Sequence, residues 1–128
     1  MKGAQVVRVS ILVVVLAAVS VSVASPSRLV HPTLHASPNP VMAGHVLTLK
    51  GNAKPGCTTG DTVTIMSKAF SGAHKFASVP AVFAKVKSGG AFKTTTTIPS
   101  SKTAGVYALT ARCGGGNFGV EVHLHVTH

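Results

Sequence analysis

Carboxylates and aromatic residues are scarce in this chain. Its 128 residues include only two acidic ones, Asp61 and Glu121, together with one tyrosine and no tryptophan. A hydrolase that uses paired carboxylates needs both of them across one cleft, whereas Asp61 opens one predicted strand and Glu121 lies in the middle of another. The scarcity of aromatic rings also disfavours a stacking platform for single-stranded nucleic acid.

The motifs of common catalytic sites are missing as well. The chain has no GxSxG nucleophile elbow, no P-loop, no dinucleotide-binding fingerprint and no HExxH zinc motif. We therefore expect a protein that is not an enzyme and that needs no cofactor.

The start of the chain has the pattern of a secretory signal peptide. Lys2 and Arg8 precede the apolar run at 11–24, and the small residues Ser22 and Ala24 form an A-x-A-like site. We predict cleavage after Ala24 and an extracellular or cell-envelope location for the remainder.

This cleavage predicts three parts: a signal peptide at 1–24, a flexible lead-in at 25–32 and one domain at 33–128. The alternative is an uncleaved membrane anchor. The apolar run at 9–24 is shorter than the about 20 residues that a membrane-spanning helix needs. After cleavage we expect no transmembrane span.

Basic residues far outnumber acidic ones. Without Lys2 and Arg8, ten Lys and Arg remain against two carboxylates, a net charge of +8. The lysines are scattered, unlike the dense run that marks a nucleic-acid-binding tail. We expect attachment to anionic cell-envelope polymers or to another extracellular protein, and no specific nucleic-acid partner. The simpler interpretation is that the charge serves solubility. Histidines add positive charge as the pH falls to about 5, which should tighten binding to a polyanion.

The chain has two cysteines, Cys57 and Cys113, both in the predicted exported part. In an oxidising compartment an even count predicts a disulfide. This bridge would close a loop of about 57 residues and contribute roughly 4 kcal/mol by reducing the entropy of the unfolded chain. The alternative is a catalytic thiol, which needs a free cysteine and a positioned base.

Hydrophobic residues alternate with polar ones at the period of a β-strand, and no helical period is present. Turn signals separate about seven short strands, and the pattern predicts an all-β fold, an antiparallel β-sandwich. Residues 67–78 are less regular and are predicted as a loop or a weak edge. The predicted strands lie at 33–37, 45–51, 62–67, 79–86, 91–99, 106–113 and 118–126.

The same alternation assigns the inward side of each strand. The predicted inward residues are Val63, Ile65, Phe92, Ile98, Phe118, Val120, Val122, Leu124 and Val126. His45, Leu47 and Leu49 share one face of their strand, and Tyr107, Leu109, Ala111 and Cys113 share one face of theirs.

Three segments in order carry a resemblance to a known family: "ASPNPVMAGHVLTLKGNAKPGCTTGDTVTI", "GGAFKTTTTIPSSKTAGVYALTARCGG" and "VEVHLHV". Over about residues 33–127 the chain resembles the Ig-like domains of secreted actinobacterial, cell-surface proteins. The resemblance implies an Ig-like antiparallel β-sandwich of about seven strands. It also implies a non-catalytic role in adhesion, recognition or structural support at the cell surface.

Two features depart from antibody-type domains. Those domains have a central disulfide beside a tryptophan, whereas here tryptophan is missing and Cys57 lies in a Gly- and Pro-rich loop. We therefore expect the Cys57–Cys113 bridge to hold the sandwich together at one of its ends. Tyr107 lies six residues before Cys113, which does not match the spacing of a tyrosine corner.

The last predicted strand contains a possible metal-ligand pair. His123 and His125 share strand parity with Glu121, so all three project from one face. Such a pair can hold zinc or copper if a third ligand arrives, from His128 or from a neighbouring strand. The simpler interpretation is a polar, solvated strand face. A small exported metal-binding protein is thus the alternative function, and an inhibitor or toxin-like effector acting through loops near Cys57 and the turn at 114–117 is a third.

Overall fold

The computed structural model describes residues 3, 31–114 and 116–128. Apart from residue 3, the predicted signal peptide lies outside them, as does the lead-in up to residue 30. The strands are β1 (Thr33–Ser37), β2 (Val41–Met42), β3 (Val46–Asn52), β4 (Thr62–Met66), β5 (Lys75–Phe76), β6 (Val79–Lys85), β7 (Ala91–Thr97), β8 (Gly105–Cys113) and β9 (Gly116–Thr127). One short 3-10 turn, Ser88–Gly90, precedes β7. No helix in this part of the chain is long and apolar enough to cross a membrane.

The strands form two sheets, as the alternation predicted. The small sheet has the order β1-β3-β7, and the large sheet has the order β2-β9-β8-β4-β6-β5. All pairings are antiparallel except that between β2 and β9. The two sheets bury a hydrophobic core, so the all-β sandwich is confirmed.

The sequence predicts only the end of a strand at "PNPVMAG". In the structure this segment also carries the chain from one sheet to the other. Pro38 and Pro40 flank Asn39 between β1 of the small sheet and β2 of the large one. The two residues of β2 pair in parallel with the end of β9, Val41 opposite Val126. Proline disfavours continued ladder pairing, so the chain leaves one sheet here and joins the other.

Much of the core consists of side chains that the alternation places together on one face of a strand. Strand alternation leaves the side chains on one face of each strand buried. Fully buried members include Leu47, Leu49, Val63, Ile65, Phe92, Ile98, Leu109, Ala111 and Leu124, while Tyr107, Val120 and Val122 are partly buried against them.

Residues 67–78 contribute to the core in a way that the sequence did not indicate. Phe70 is 1% exposed, and Ala69 and Ser67 are also buried. The Ser67 carbonyl accepts a hydrogen bond from the Phe70 N–H, and the Ser67 hydroxyl accepts one from the Ala69 N–H. This tight turn directs the ring inward, and it has no periodic pattern. Further along the same segment, β5 is the edge strand of the large sheet, which agrees with the weak edge predicted there.

Tyr107 makes a hydrogen bond that the sequence did not predict. Its hydroxyl donates a 2.6 Å hydrogen bond to the carbonyl of Thr103, four residues upstream and just before β8. A tyrosine that bonds back to the upstream backbone near the start of its strand is the arrangement of a tyrosine corner. The six-residue spacing to Cys113 still differs from that of a tyrosine corner, because this hydrogen bond depends on the turn before β8 and not on the cysteine.

We expect Tyr107→Phe to lower the free energy of unfolding by about 1 kcal/mol, the usual net value of one hydrogen bond. The ring stays packed and only the bond to Thr103 is lost. Chemical denaturation measures the change. Thr103→Ala is the control, since it keeps the carbonyl and should leave stability nearly unchanged; an equal loss in both variants would contradict the role of the hydroxyl.

Candidate functional site

The predicted disulfide is present at one end of the sandwich. Cys57 lies in the loop between β3 and β4, where its N–H donates to the carbonyl of Ala53. Cys113 ends β8, opposite Val63 of β4. The two Cα atoms are 5.9 Å apart, and both residues are buried. The bridge therefore ties the crossover between the two sheets to the end of the large sheet.

Asp61 lies beside this bridge. Its Oδ2 accepts hydrogen bonds from the N–H and the hydroxyl of Thr58, at 2.9 and 3.1 Å. The Thr58 backbone bond and then the Thr58 hydroxyl lower the pKa of Asp61 below its ordinary value of 3.8. Desolvation opposes them to a smaller extent, and the charge of Lys85 lowers the pKa least.

The same Oδ2 is 3.9 Å from the Cys113 sulfur. In the described part of the chain, Cys57, Asp61 and Cys113 are the one trio of metal-ligand side chains whose ligand atoms all lie within 4.8 Å. Both sulfurs are bonded to each other and offer no thiolate, which is the form that binds metal.

His123 and His125 lie on the outer face of the large sheet. Both are exposed, as is Glu121, and the His123 Nε2 is 3.9 Å from the Glu121 Oε1. Their cross-strand neighbours on β8 are Ala108 and Val106. No third ligand group joins them among residues 31–114 and 116–128. Metal binding by this pair stays a prediction.

The backbone between these histidines has a separate partner. The Asn39 side-chain amide donates to the His123 carbonyl and accepts from the His125 N–H, both at 2.9 Å. The amide thus replaces one peptide unit of a neighbouring strand. Together with β2 it covers the C-terminal half of the outer edge of β9.

A basic row crosses the outer face of the small sheet. His35 of β1 is opposite Lys50 of β3, and Lys50 is opposite Lys93 of β7. All three side chains are exposed. Side chains directly opposite in antiparallel strands are about 5 Å apart at Cβ, and like charges there are destabilising. Neither of the two carboxylates of the chain, Asp61 and Glu121, lies on these three strands.

Hydroxyl groups line the basic row on one side. Ser37, Thr48 and Thr95 form the next row toward the other end of the same face. Cations beside hydroxyl donors are the groups that bind phosphate, sulfate and carboxylate oxygens. The face can therefore hold an anionic polymer laid across the strands.

No local pattern in the sequence predicts this row. Alternation assigns Lys50 and Lys93 to outward positions, but they are 43 positions apart in the chain. Their juxtaposition depends on which strands pair and in which register, and no local pattern encodes that. The outward parity of His35, Lys50 and Lys93 was the only signal.

Asp61 should affect stability in acid. A carboxyl whose pKa is lowered in the fold contributes stability above its ordinary value of 3.8, and this contribution is lost as the pH falls through the folded value. Asp61→Asn should therefore lower the thermal stability at neutral pH and reduce the further loss below about pH 4. Thermal unfolding between neutral pH and about pH 2 measures both effects. Glu121→Gln removes the same charge from β9 and is the control; identical acid profiles for the two variants would contradict the assignment.

Comparisons with known proteins add no family. The chain matches no protein-family model, no curated protein and no solved structure.

Proposed function

We propose that this is an exported, cell-envelope-associated, non-catalytic protein with an Ig-like domain that binds anionic envelope polymers through the basic row of its small sheet. Its role would be adhesion, recognition or structural support at the cell surface. The observation that carries the proposal is the alignment of His35, Lys50 and Lys93 on one exposed face.

The strand order supports the Ig-like part of the proposal. Ig domains pair strands A, B and E in one sheet and G, F and C in the other, and variable-type domains add a further strand beside C. The orders β1-β3-β7 and β9-β8-β4-β6 follow this arrangement. The hydrogen bond from Tyr107 to Thr103 adds a second Ig-like feature.

The disulfide and the charge support export and polymer binding. A closed disulfide with no free cysteine suits an oxidising compartment. The net charge of +8 outside the predicted signal peptide attracts polyanions over a distance that salt shortens to about 8 Å at physiological ionic strength. The basic row gives this attraction a defined location on the protein. Negatively charged groups of a ligand would offset the repulsion between Lys50 and Lys93 there.

The test is a matched pair of charge variants. Lys50→Gln with Lys93→Gln should weaken binding of polyglutamate or polyphosphate by about tenfold at low salt, which corresponds to roughly 0.7 kcal/mol per lysine. Lys68→Gln with Lys75→Gln removes the same charge from exposed positions elsewhere and should have a much smaller effect. Titration calorimetry at several salt concentrations measures both pairs.

Equal losses in the two pairs would mean that only net charge matters, and no binding at low salt would reject the polymers as partners. Binding should also tighten as the pH falls to about 5, because histidine side chains in general gain positive charge in that range. An affinity that neither pH nor salt changes would contradict an electrostatic attachment.

The second candidate function is metal binding by His123 and His125, which share an exposed face with Glu121. If this second function is correct, each of the substitutions His123→Ala and His125→Ala should remove most of the affinity for Cu²⁺ or Zn²⁺ in a titration, because each imidazole supplies one ligand. His45→Ala, at another exposed histidine, is the control. An affinity that the β9 substitutions leave unchanged would end this candidate.

A further inference from the structure

The outer edge of β7 has backbone groups that pair with no other strand among the described residues. The Ile98 N–H donates to the His45 carbonyl at 3.0 Å, so the even-numbered residues of β7 bond toward β3. The Ala91 carbonyl instead accepts from the Lys87 N–H on the other side. In an antiparallel strand the N–H and C=O of one residue point the same way. The backbone groups of Lys93, Thr95 and Thr97 therefore point away from the sheet.

The other sheet edges in the described ranges are shorter or covered. Strand β9 is covered by β2 and by the Asn39 amide. Its remaining edge is interrupted at Gly119, which has a φ of +72° and lies at a register shift against β8. Strand β6 is partly covered by β5, and β1 lies between Pro32 and Pro38. The edge of β7 is the longest open run of the described residues.

We propose that two copies of this chain associate through β7, antiparallel, with Thr95 of one copy opposite Thr95 of the other. In this register Lys93 of each copy faces Thr97 of its partner. All three residue pairs are of the hydrogen-bonded type, and each exchanges two backbone hydrogen bonds. The result is one continuous sheet of six strands, β1-β3-β7 joined to its two-fold mate.

The residues of β7 select this register over its neighbours. A pairing centred on Lys93 would place two like charges opposite each other, which is destabilising. A shift by one residue toward the start of β7 would use the Ala91 carbonyl, which already accepts from Lys87. A shift the other way would need an N–H from Pro99, which has none. The register centred on Thr95 uses the open groups of 93–97 and adds a Thr–Thr pair, which is favourable across strands.

The expected dimer is weak and depends on concentration, because pairing five residues buries less than the about 1,200 Å² of a stable interface. It would also place two basic rows on one face and raise the avidity for a long polyanion. That consequence rests on the proposed function, whereas the dimer itself is measured without any polymer.

The first test changes the charge at the centre of the dimer. Thr95→Lys would place two lysines opposite each other and should raise the dimer dissociation constant by at least about tenfold. Ser37→Lys is the control, since it adds the same charge to the same cross-strand row at the opposite edge of the small sheet. Sedimentation equilibrium of the purified protein measures the dissociation constants, and circular dichroism checks that both variants fold.

The second test identifies the register. Residues of a hydrogen-bonded pair have Cα atoms about 5.5 Å apart, which a disulfide can span. Thr95→Cys should therefore give a covalent dimer under mild oxidation. Thr97→Cys should not, because its counterpart would lie four residues along the strand, about 13 Å away.

A protein that stays monomeric up to about 1 mM would overturn the proposal, since that is the weakest association such a measurement resolves. A dimer that Thr95→Lys leaves intact would place the interface on another surface. A covalent dimer of the Thr97→Cys variant, with none of the Thr95→Cys variant, would reject the register centred on Thr95.

Discussion

The arrangement of this protein depends on burying one face of each sheet against the other. Leu47, Leu49 and Phe92 of the small sheet meet Ile65 and Leu124 of the large one in a core that excludes water. Because side chains alternate along a strand, a slip of one residue would exchange the buried face for the exposed one. The core therefore also determines which polar residues face outward. The basic row and the histidines of β9 have their places because their neighbours are buried.

The basic row has a cost that the core compensates. Lys50 lies opposite Lys93, and no carboxylate on the strands of the small sheet relieves the repulsion between the two lysines. Opposed like charges reduce sheet stability, so the strands that carry them need support from packing and from the bridge. The Cys57–Cys113 disulfide supplies such support, since closing a long loop reduces the entropy of the unfolded chain. A ligand of opposite charge would relieve the same repulsion, which is the physical reason for the binding role that we propose.

The edge strands of the two sheets are covered to different extents. In the large sheet, β2 and Asn39 pair with backbone groups of β9, and β5 covers part of β6. Proteins commonly protect edge strands in such ways because open ones pair with other chains. The small sheet instead has the threonine-rich strand β7 at its edge. A single lysine there restricts the registers in which a second strand can pair, so this edge favours a specific association over a general one.

The sequence by itself determined the strands, their inward faces and the cysteine pair. The period of two identifies Val63, Phe92 and Phe118 as inward because alternation is a local property of each strand. With only two cysteines in the chain, one intramolecular pairing is possible. The sequence also placed His123 and His125 on a solvent-exposed strand face, although it did not decide whether a metal binds there.

Only the tertiary structure decided what lies beside what. The insertion of Phe70, the bond from Tyr107 to Thr103 and the two-residue strand β2 arise from turns and crossovers without a periodic signal. The row of His35, Lys50 and Lys93 and the open edge of β7 depend on strand order and register. Both are set by contacts between residues distant in the chain, where the burial of whole faces outweighs any local preference.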